Sequence, residues 1–349
     1  MADIQAPPTS TQSAEHVAKM SEEGKEQSGR MTPQPTDWGQ PLTGADQGQP
    51  SPLAPPPTVT RPSYLRLLSA VIFNNRIHVA LMPSFVLAMW VLVFRYKLTI
   101  AYHLMIILST AAGYLFNMYT DRAEDAINYP DEGRLSPDSP WMKVIIFLCN
   151  SIAALIALRA GWRFFLFGMF VNTWGLLYAV VLPVGRIRIK NIPWLKNAWS
   201  AAYWSIGLLL SPFFYLRLSF DPRLMLAIPL AFLLAFWVEL MWDLRDTAGD
   251  RAAGVRTLPV VYGEAMAHWL LHIINVFVLG FALYGLLNHL LPAAHWVFLV
   301  HCAGAAVFLE WYMRMKDRQL ASHLYLLYAG SCIIVGVMLG ETELVIPSL

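Results

Sequence analysis

The strongest constraint on this chain is a series of long apolar stretches that carry few charges: Met105 to Phe116, Val144 to Leu158, Phe164 to Leu182, Leu224 to Trp242 and Leu270 to Leu287. Several approach the roughly 20 residues that a helix needs to cross the hydrocarbon core of a bilayer. With 56% hydrophobic and 14% charged residues, the chain is too apolar for an ordinary soluble domain. The stretches are apolar on all sides rather than alternating, which selects helices over a membrane barrel. The expected fold is all-α, a polytopic membrane bundle of about nine transmembrane helices. They fall near 77–95, 98–119, 141–159, 162–183, 197–216, 222–242, 265–288, 293–313 and 321–340.

Residues 1–60 are rich in Pro, Ser, Thr, Gln and Gly and hold almost no aliphatic clusters. Such a segment cannot bury enough surface to offset ordering entropy, so a disordered tail is expected, followed by a membrane domain over 61–349. No apolar stretch with a small-residue cleavage site follows the first charges, so the tail is not read as a signal peptide. Tyr64 to Phe73 reads as a short amphipathic lead-in at the interface.

The net charge of +2 says little about partners, because in a membrane protein the placement of charge matters. If the tail is cytoplasmic, the loops after the second, fourth, sixth and eighth spans lie inside. They carry Arg122, Arg134, Arg186, Arg188, Lys190, Lys196, Arg245, Arg251, Arg256, Arg314, Lys316 and Arg318. The opposite loops carry only Arg95, Lys97, Arg159, Arg163, Arg217 and Arg223, so the bias of Lys and Arg places the N-terminus and the acid-rich loops in the cytoplasm. Cys149, Cys302 and Cys332 fall inside apolar segments without CxxC or Cys/His spacing and read as small core or lipid-facing residues.

Two acidic motifs interrupt this pattern. The first is Asn117-Met-Tyr-Thr-Asp121-Arg-Ala-Glu-Asp125, where polar groups at i, i+4 and i+8 share one face of a helix leaving the membrane. Carboxylates on one stripe repel and call for a cation. Carboxylate oxygens with retained waters suit Mg²⁺, above all when a phosphate supplies the remaining ligands. A solvated helix end is the simpler reading of Asp121 and Asp125 taken alone.

The second motif is Glu239-Leu-Met-Trp-Asp243-Leu-Arg-Asp246-Thr-Ala-Gly-Asp250, followed by Arg251, Gly254, Arg256, Thr257 and Pro259. Its acids recur at spacings of four, three and four on one helical face. Both motifs fall on the same predicted side, and acids at a membrane edge are costly unless paired or metal-bound. A diphosphate held by Mg²⁺ also needs cationic donors, and Arg122, Arg186, Arg188, Lys190, Lys196, Arg245 and Arg251 lie on that side. Taken singly, each reads first as a cytoplasmic anchor that obeys the charge bias.

These residues resemble the UbiA superfamily of intramembrane prenyltransferases. The family's Asn-x3-Asp-x3-Asp signature after its second helix matches Asn117, Asp121 and Asp125. Its Asp-x2-Asp-x3-Asp signature after the sixth helix matches Asp243, Asp246 and Asp250, with Gly254, Thr257 and Pro259 following. A looser likeness is Tyr178 followed by Arg188-Ile-Lys190-Asn-Ile-Pro193-Trp-Leu-Lys196-Asn197. The resemblance covers about residues 70–340.

It implies a nine-helix bundle around a central cavity that opens toward lipid, with both acidic motifs holding Mg²⁺ and the diphosphate of a polyprenyl donor. Carried over residue by residue, the metal ligands are Asn117, Asp121, Asp125, Asp243 and Asp246, supported by Asp250. Arg188, Lys190 and Lys196 would stabilise charge on the leaving group, with Tyr178 near the allylic carbon; Arg122 and Arg251 are further candidates for the diphosphate. The implied reaction is ionisation of the allylic diphosphate to a carbocation and pyrophosphate. Aromatic faces stabilise such a cation, and Tyr114, Phe116, Tyr119, Trp174, Tyr178 and Trp242 sit near the predicted mouth.

The acceptor decides the function. The cation could be captured by an electron-rich aromatic ring, by a lipid hydroxyl, or by its own double bonds as in a terpene cyclase. Intermolecular prenyl transfer is preferred, cyclisation is the runner-up, and no acceptor motif is evident. The expected partners are the donor, a lipophilic or aromatic acceptor and the bilayer, with no nucleic acid. Of the histidines, His78, His103, His268, His272, His289, His295, His301 and His323 read as scattered without metal-ligand spacing, and Arg76 either faces the cavity or pins the first helix. A transporter or scaffold would place polar groups at mid-membrane. Here the acids cluster at one face.

Overall fold

The computed structural model describes residue 64, residues 71–72, 74–128, 135–181 and 188–345. The tail expected over 1–60 and the basic residues Arg134 and Arg186 lie outside the described residues, as does most of the expected interfacial lead-in. The described residues form helices: α1 (Ile77–Phe94), α2 (Ile100–Thr120), the short α3 (Arg122–Asn128), α4 (Pro140–Ala160), α5 (Trp162–Ala179), α6 (Leu195–Leu216), α7 (Leu224–Ala252), the short α8 (Leu258–Tyr262), α9 (Glu264–Leu287), α10 (Val297–Tyr312) and α11 (Arg318–Val345). Nine of these are long, and successive long helices pack side by side while α11 closes on α1. The result is a ring.

Local chemistry sets the helix ends. The Thr99 hydroxyl accepts from the Tyr102 backbone N–H at 3.2 Å and starts α2. Ser139 caps α4 by accepting from Trp141 N–H at 3.3 Å, with Pro140 supplying a pre-set first helical residue. Between α4 and α5 a single residue turns the chain: Gly161 adopts φ 141°, a conformation that side chains resist.

The expected spans fall on the nine long helices, with one large difference. The sixth span does not end near residue 242. α7 runs 29 residues to Ala252. At 1.5 Å per residue that is about 43 Å, well beyond a hydrocarbon core of about 30 Å. The second acidic motif therefore lies on a continuous helix that projects from the apolar layer rather than in a loop. Leu, Arg, Thr and Ala between the acids continue a helix and the single Gly249 does not break it; the stop comes at Gly254, with φ 73°.

Among the described residues, seven helices are long and apolar enough to count as membrane spans by length and composition alone. α5 and α6 fall short because they carry Asn172, Trp174, Tyr178, Lys196, Asn197, Ser200 and Tyr203. Outside the ring the surface is apolar, with Phe147, Leu155, Val276 and Leu287 more than half exposed. Lipid is as apolar as these side chains, so helix association rests on close packing and on internal hydrogen bonds. Gly340 of α11 lies so close to Leu92 of α1 that a Cβ there would meet the leucine Cδ1 at 2.5 Å. Trp237 donates its indole N–H to Leu271 O at 3.1 Å, and Tyr312 donates its hydroxyl to Met241 O at 3.2 Å, tying α7 to α9 and α10.

Candidate active site

The acidic ends of α2 and α7 face one cavity of about 460 Å³. Asn117, Asp121, Asp125, Tyr178, Lys190, Lys196, Asp243, Asp246 and Asp250 all line it, so nine of the residues singled out in the sequence meet in one place. Arg188 stands behind this lining and reaches Asp121. Deeper in the bundle the walls become aromatic and apolar, through Tyr203, Trp204 and Met169. A narrower apolar pocket continues from there between Met105, Phe164, Phe167 and Leu208.

The first motif sits at a helix break. α2 ends at Thr120 and α3 resumes at Arg122, yet the backbone bonds Asp121 N–H to Asn117 O (2.8 Å) and Asp125 N–H to Asp121 O (2.9 Å) keep the helical register. Asn117, Asp121 and Asp125 thus stay on one side. Asp121 accepts from Lys190 Nζ at 2.7 Å and Arg188 Nη2 at 3.1 Å, both carried by the segment before α6. Asp125 accepts from Arg76 Nη2 at 3.1 Å, which settles the place of Arg76 on the cavity wall. Burial alone would raise the Asp121 carboxyl, but the Lys190 ammonium, followed by the Arg188 guanidinium, outweighs it and holds the group below the usual carboxylate range.

The second motif is held from α6. Asp243 accepts from Lys196 Nζ at 2.5 Å and from Asn197 Nδ2 at 2.9 Å, while Lys196 lies 3.9 Å from Asp250 Oδ2. Asp246 accepts from its neighbour Arg245 at 2.6 Å. Glu239, one turn deeper, accepts the Ser200 hydroxyl proton at 2.7 Å. Lys190 and Asp243 are each 3% exposed and Asp125 and Asp250 4%, so charges of both signs are taken out of water together. Burial on this scale is tolerated only where each charge has partners.

A polar clasp joins the two motifs. Asn128, the last residue of α3, accepts from Gly249 N–H at 3.1 Å and donates to Asp246 O at 3.4 Å. Gly249 permits this, because any Cβ there would collide with the Asn128 amide. Asn128 and Asn197 have no assigned role in the sequence, whereas Arg245 stands there among the candidate cationic donors. Asn197 and Arg245 carried a signal, since both flank matched motif positions; Asn128 carried none, because its partner lies more than a hundred residues away.

Other candidates lie elsewhere. Arg122 is exposed, pairs with Asp138 and stacks over the Tyr119 ring at 4.8 Å, and Arg251 is exposed at the end of α7; neither lines the cavity. Of the six aromatic residues expected at the mouth, Tyr114, Phe116, Tyr178 and Trp242 line the cavity. Tyr119 and Trp174 do not. Trp199 and Tyr203 join the lining.

A ring of long helices enclosing a buried acid–base cluster, with an apolar pocket behind it, is the architecture of an intramembrane enzyme. The chain belongs to the UbiA prenyltransferase family, whose model matches residues 79–336. It is 30% identical to the digeranylgeranylglyceryl phosphate synthase of Methanopyrus kandleri over 56% of this chain and 68% of that one. It is 29% identical to the bacteriochlorophyll synthase 34 kDa chain of Chloroflexus aurantiacus over 50% and 54%. Its fold is similar to that of a UbiA homologue from Archaeoglobus fulgidus bound to DMAPP and Mg²⁺, with TM-score 0.51 and 16% identity over 80% of this chain and 99% of that one. The prenyltransferase class expected from the two acidic signatures is the class of this family.

Proposed function

We propose that the protein is a Mg²⁺-dependent prenyltransferase that ionises a polyprenyl diphosphate at the acidic end of the cavity and transfers the prenyl group to a lipophilic acceptor. The observation that carries this reading is the convergence of two acidic helix ends, each already paired with cations, on one cavity whose walls turn apolar with depth. The donor set is one of carboxylate oxygens with an amide, which fits Mg²⁺ and does not suit a softer ion. Asn117, Asp121, Asp125, Asp243, Asp246 and Asp250 would hold the metal, which when bound would neutralise the diphosphate oxygens as the C–O bond breaks.

The chain's own cations complete the site. Lys190 and Arg188 on Asp121, and Lys196 on Asp243, lie within reach of the same space as the acids they neutralise. With those acids engaged in holding metal and diphosphate, Lys190, Arg188 and Lys196 would be released to donate to the departing pyrophosphate. The buried site thus keeps its charge balanced with and without substrate. The prenyl tail follows the apolar walls toward Met105 and Phe164, and the faces of Tyr178 and Trp242 border the point where positive charge develops.

Orientation in the membrane is part of the proposal. The sequence bias favours a cytoplasmic acidic end, but Arg188, Lys190, Lys196 and Arg245 spend their charge on the site. The orientation therefore rests on the exposed Arg251, Arg256, Arg314 and Lys316, with Arg122.

The test is product analysis. Purified protein in nanodiscs receives Mg²⁺ and geranyl, farnesyl or geranylgeranyl diphosphate, with and without a panel of phenolic and lipid-hydroxyl acceptors. Prenylated acceptor with stoichiometric pyrophosphate is the expected result. A cyclic hydrocarbon or terpene alcohol formed without acceptor would make the protein a cyclase instead.

A further inference from the structure

Outside the cavity, on the flank where α9 meets α10, three metal-ligating side chains converge. His268 and His272 stand one turn apart at the start of α9, and Glu310 lies in the last turn of α10. Glu310 Oε1 is 2.9 Å from His268 Nε2 and 2.9 Å from His272 Nε2, and the two imidazole nitrogens are 3.2 Å apart. The histidines look scattered in sequence, without metal-ligand spacing, but the four-residue step from His268 to His272 is such a spacing. The missing third ligand is 38 residues further on and was not legible.

Hydrogen bonding alone does not account for this triangle. A neutral imidazole offers either a proton or a lone pair at Nε2. If both rings donate to Glu310, two N–H groups oppose each other at 3.2 Å. If one ring presents its lone pair to satisfy the other, that lone pair also faces the carboxylate. One central cation satisfies all three atoms at once. The separations of 2.9–3.2 Å lie close to the ~3.3 Å edge of a tetrahedron with ~2.0 Å metal–ligand bonds. The histidine side chains are 20% and 25% exposed and the glutamate 49%, so an ion can enter and the fourth position stays open to water.

We propose that His268, His272 and Glu310 form a second, independent metal site that binds a divalent transition ion of the Zn²⁺ class and clips the start of α9 to the end of α10. Two imidazoles and one carboxylate favour Zn²⁺ or Co²⁺ over Mg²⁺, which prefers oxygen ligands. The site therefore differs in chemistry, as well as in place, from the acidic cavity. At the same end of α9, Arg318 of α11 pairs with Glu264 at 2.7 Å and donates to Leu244 O of α7 at 2.9 Å.

The test is Co²⁺ and Zn²⁺ titration of metal-stripped, full-length protein in millimolar Mg²⁺, read by visible absorption for Co²⁺, by metal content after gel filtration, and by thermal melting. Wild type should bind one equivalent with the intense visible bands of a low-coordinate site and melt several degrees higher. Asp121→Ala/Asp243→Ala should do the same. His268→Ala/His272→Ala should lose at least tenfold in affinity together with the melting shift. Glu310→Gln, at a half-exposed position, provides the same loss should the double histidine variant fail to fold. No binding by wild type in excess Mg²⁺, or unchanged binding by the histidine and glutamate variants, would overturn the proposal.

Discussion

The two acidic motifs look equivalent in sequence and are built differently. Asp121 and Asp125 sit at a break between α2 and α3, and their cations come from separate segments: Arg76 before α1, and Arg188 and Lys190 before α6. Asp243, Asp246 and Asp250 ride on the unbroken α7, and Lys196 and Asn197 in the first turn of α6 hold the most buried of them. One motif is assembled from pieces, and the other is a rigid rail gripped by its neighbour. If both motifs hold one diphosphate, as proposed, the unbroken α7 would be the fixed side of the site and the α2–α3 break the side able to adjust.

The largest effect should erase the distinction. Asp121→Ala and Asp243→Ala should each lower prenyl-transfer kcat/KM by about two to three orders of magnitude, the range seen when a preorganised electrostatic partner of the transition state is removed. Both variants should still insert and elute as wild type. Lys196→Met and Lys190→Met sharpen the comparison. Lys196→Met leaves Asp243, 3% exposed, without its cation, so a stability loss of about 3–5 kcal/mol is expected in addition to lost turnover. Lys190→Met leaves Asp121 with Arg188 and should cost turnover with a smaller drop in melting temperature.

The clasp between the motifs gives the next step down. Gly249→Ala pushes a methyl group into Asn128 and should weaken Mg²⁺-dependent donor binding about tenfold, as expected of a displaced positioning contact. Adding Asn128→Ala should restore part of that loss by removing the collision, which isothermal titration can follow. Arg122→Ala and Arg251→Ala should be the mildest. Both residues are exposed and away from the cavity lining, and the Arg122–Asp138 pair is a surface ion pair worth about 0–1 kcal/mol.

The pH profile isolates Asp121. The ionised Asp121 is favoured by folding, so its contribution to stability is complete above the ordinary aspartate value of about 3.9 and fades only as pH falls through its lower folded value. Any loss of activity between pH 4 and 6 should therefore persist unchanged in Asp121→Asn variants that retain residual turnover.

Much of this was legible before any coordinates. Apolar runs fixed the nine long helices, and four-residue spacing put Asn117, Asp121 and Asp125 on one face. What escaped was either long-range or a matter of degree. Arg76 meets Asp125 across 49 positions, and Asn128 meets Gly249 across 121, distances at which no local pattern operates. The apolar span ends near residue 242 and the acids beyond it share one helical face, but only the structure shows a single unbroken helix to Ala252, because charge ends the apolar layer and not the helix. α5 and α6 read as spans although their hydropathy is marginal, and among their polar and aromatic residues Asn172, Tyr178, Lys196, Ser200 and Tyr203 line the cavity. A shortfall of apolarity in a membrane helix is here a mark of the site.

The most direct measurement is equilibrium binding of a prenyl diphosphate to purified protein with and without Mg²⁺, in wild type, Asp121→Ala and Asp243→Ala. Binding that requires Mg²⁺ and falls sharply in both variants is the outcome expected if the two motifs act on one diphosphate. Tight binding that ignores Mg²⁺, or that survives the loss of either aspartate, would contradict the shared site.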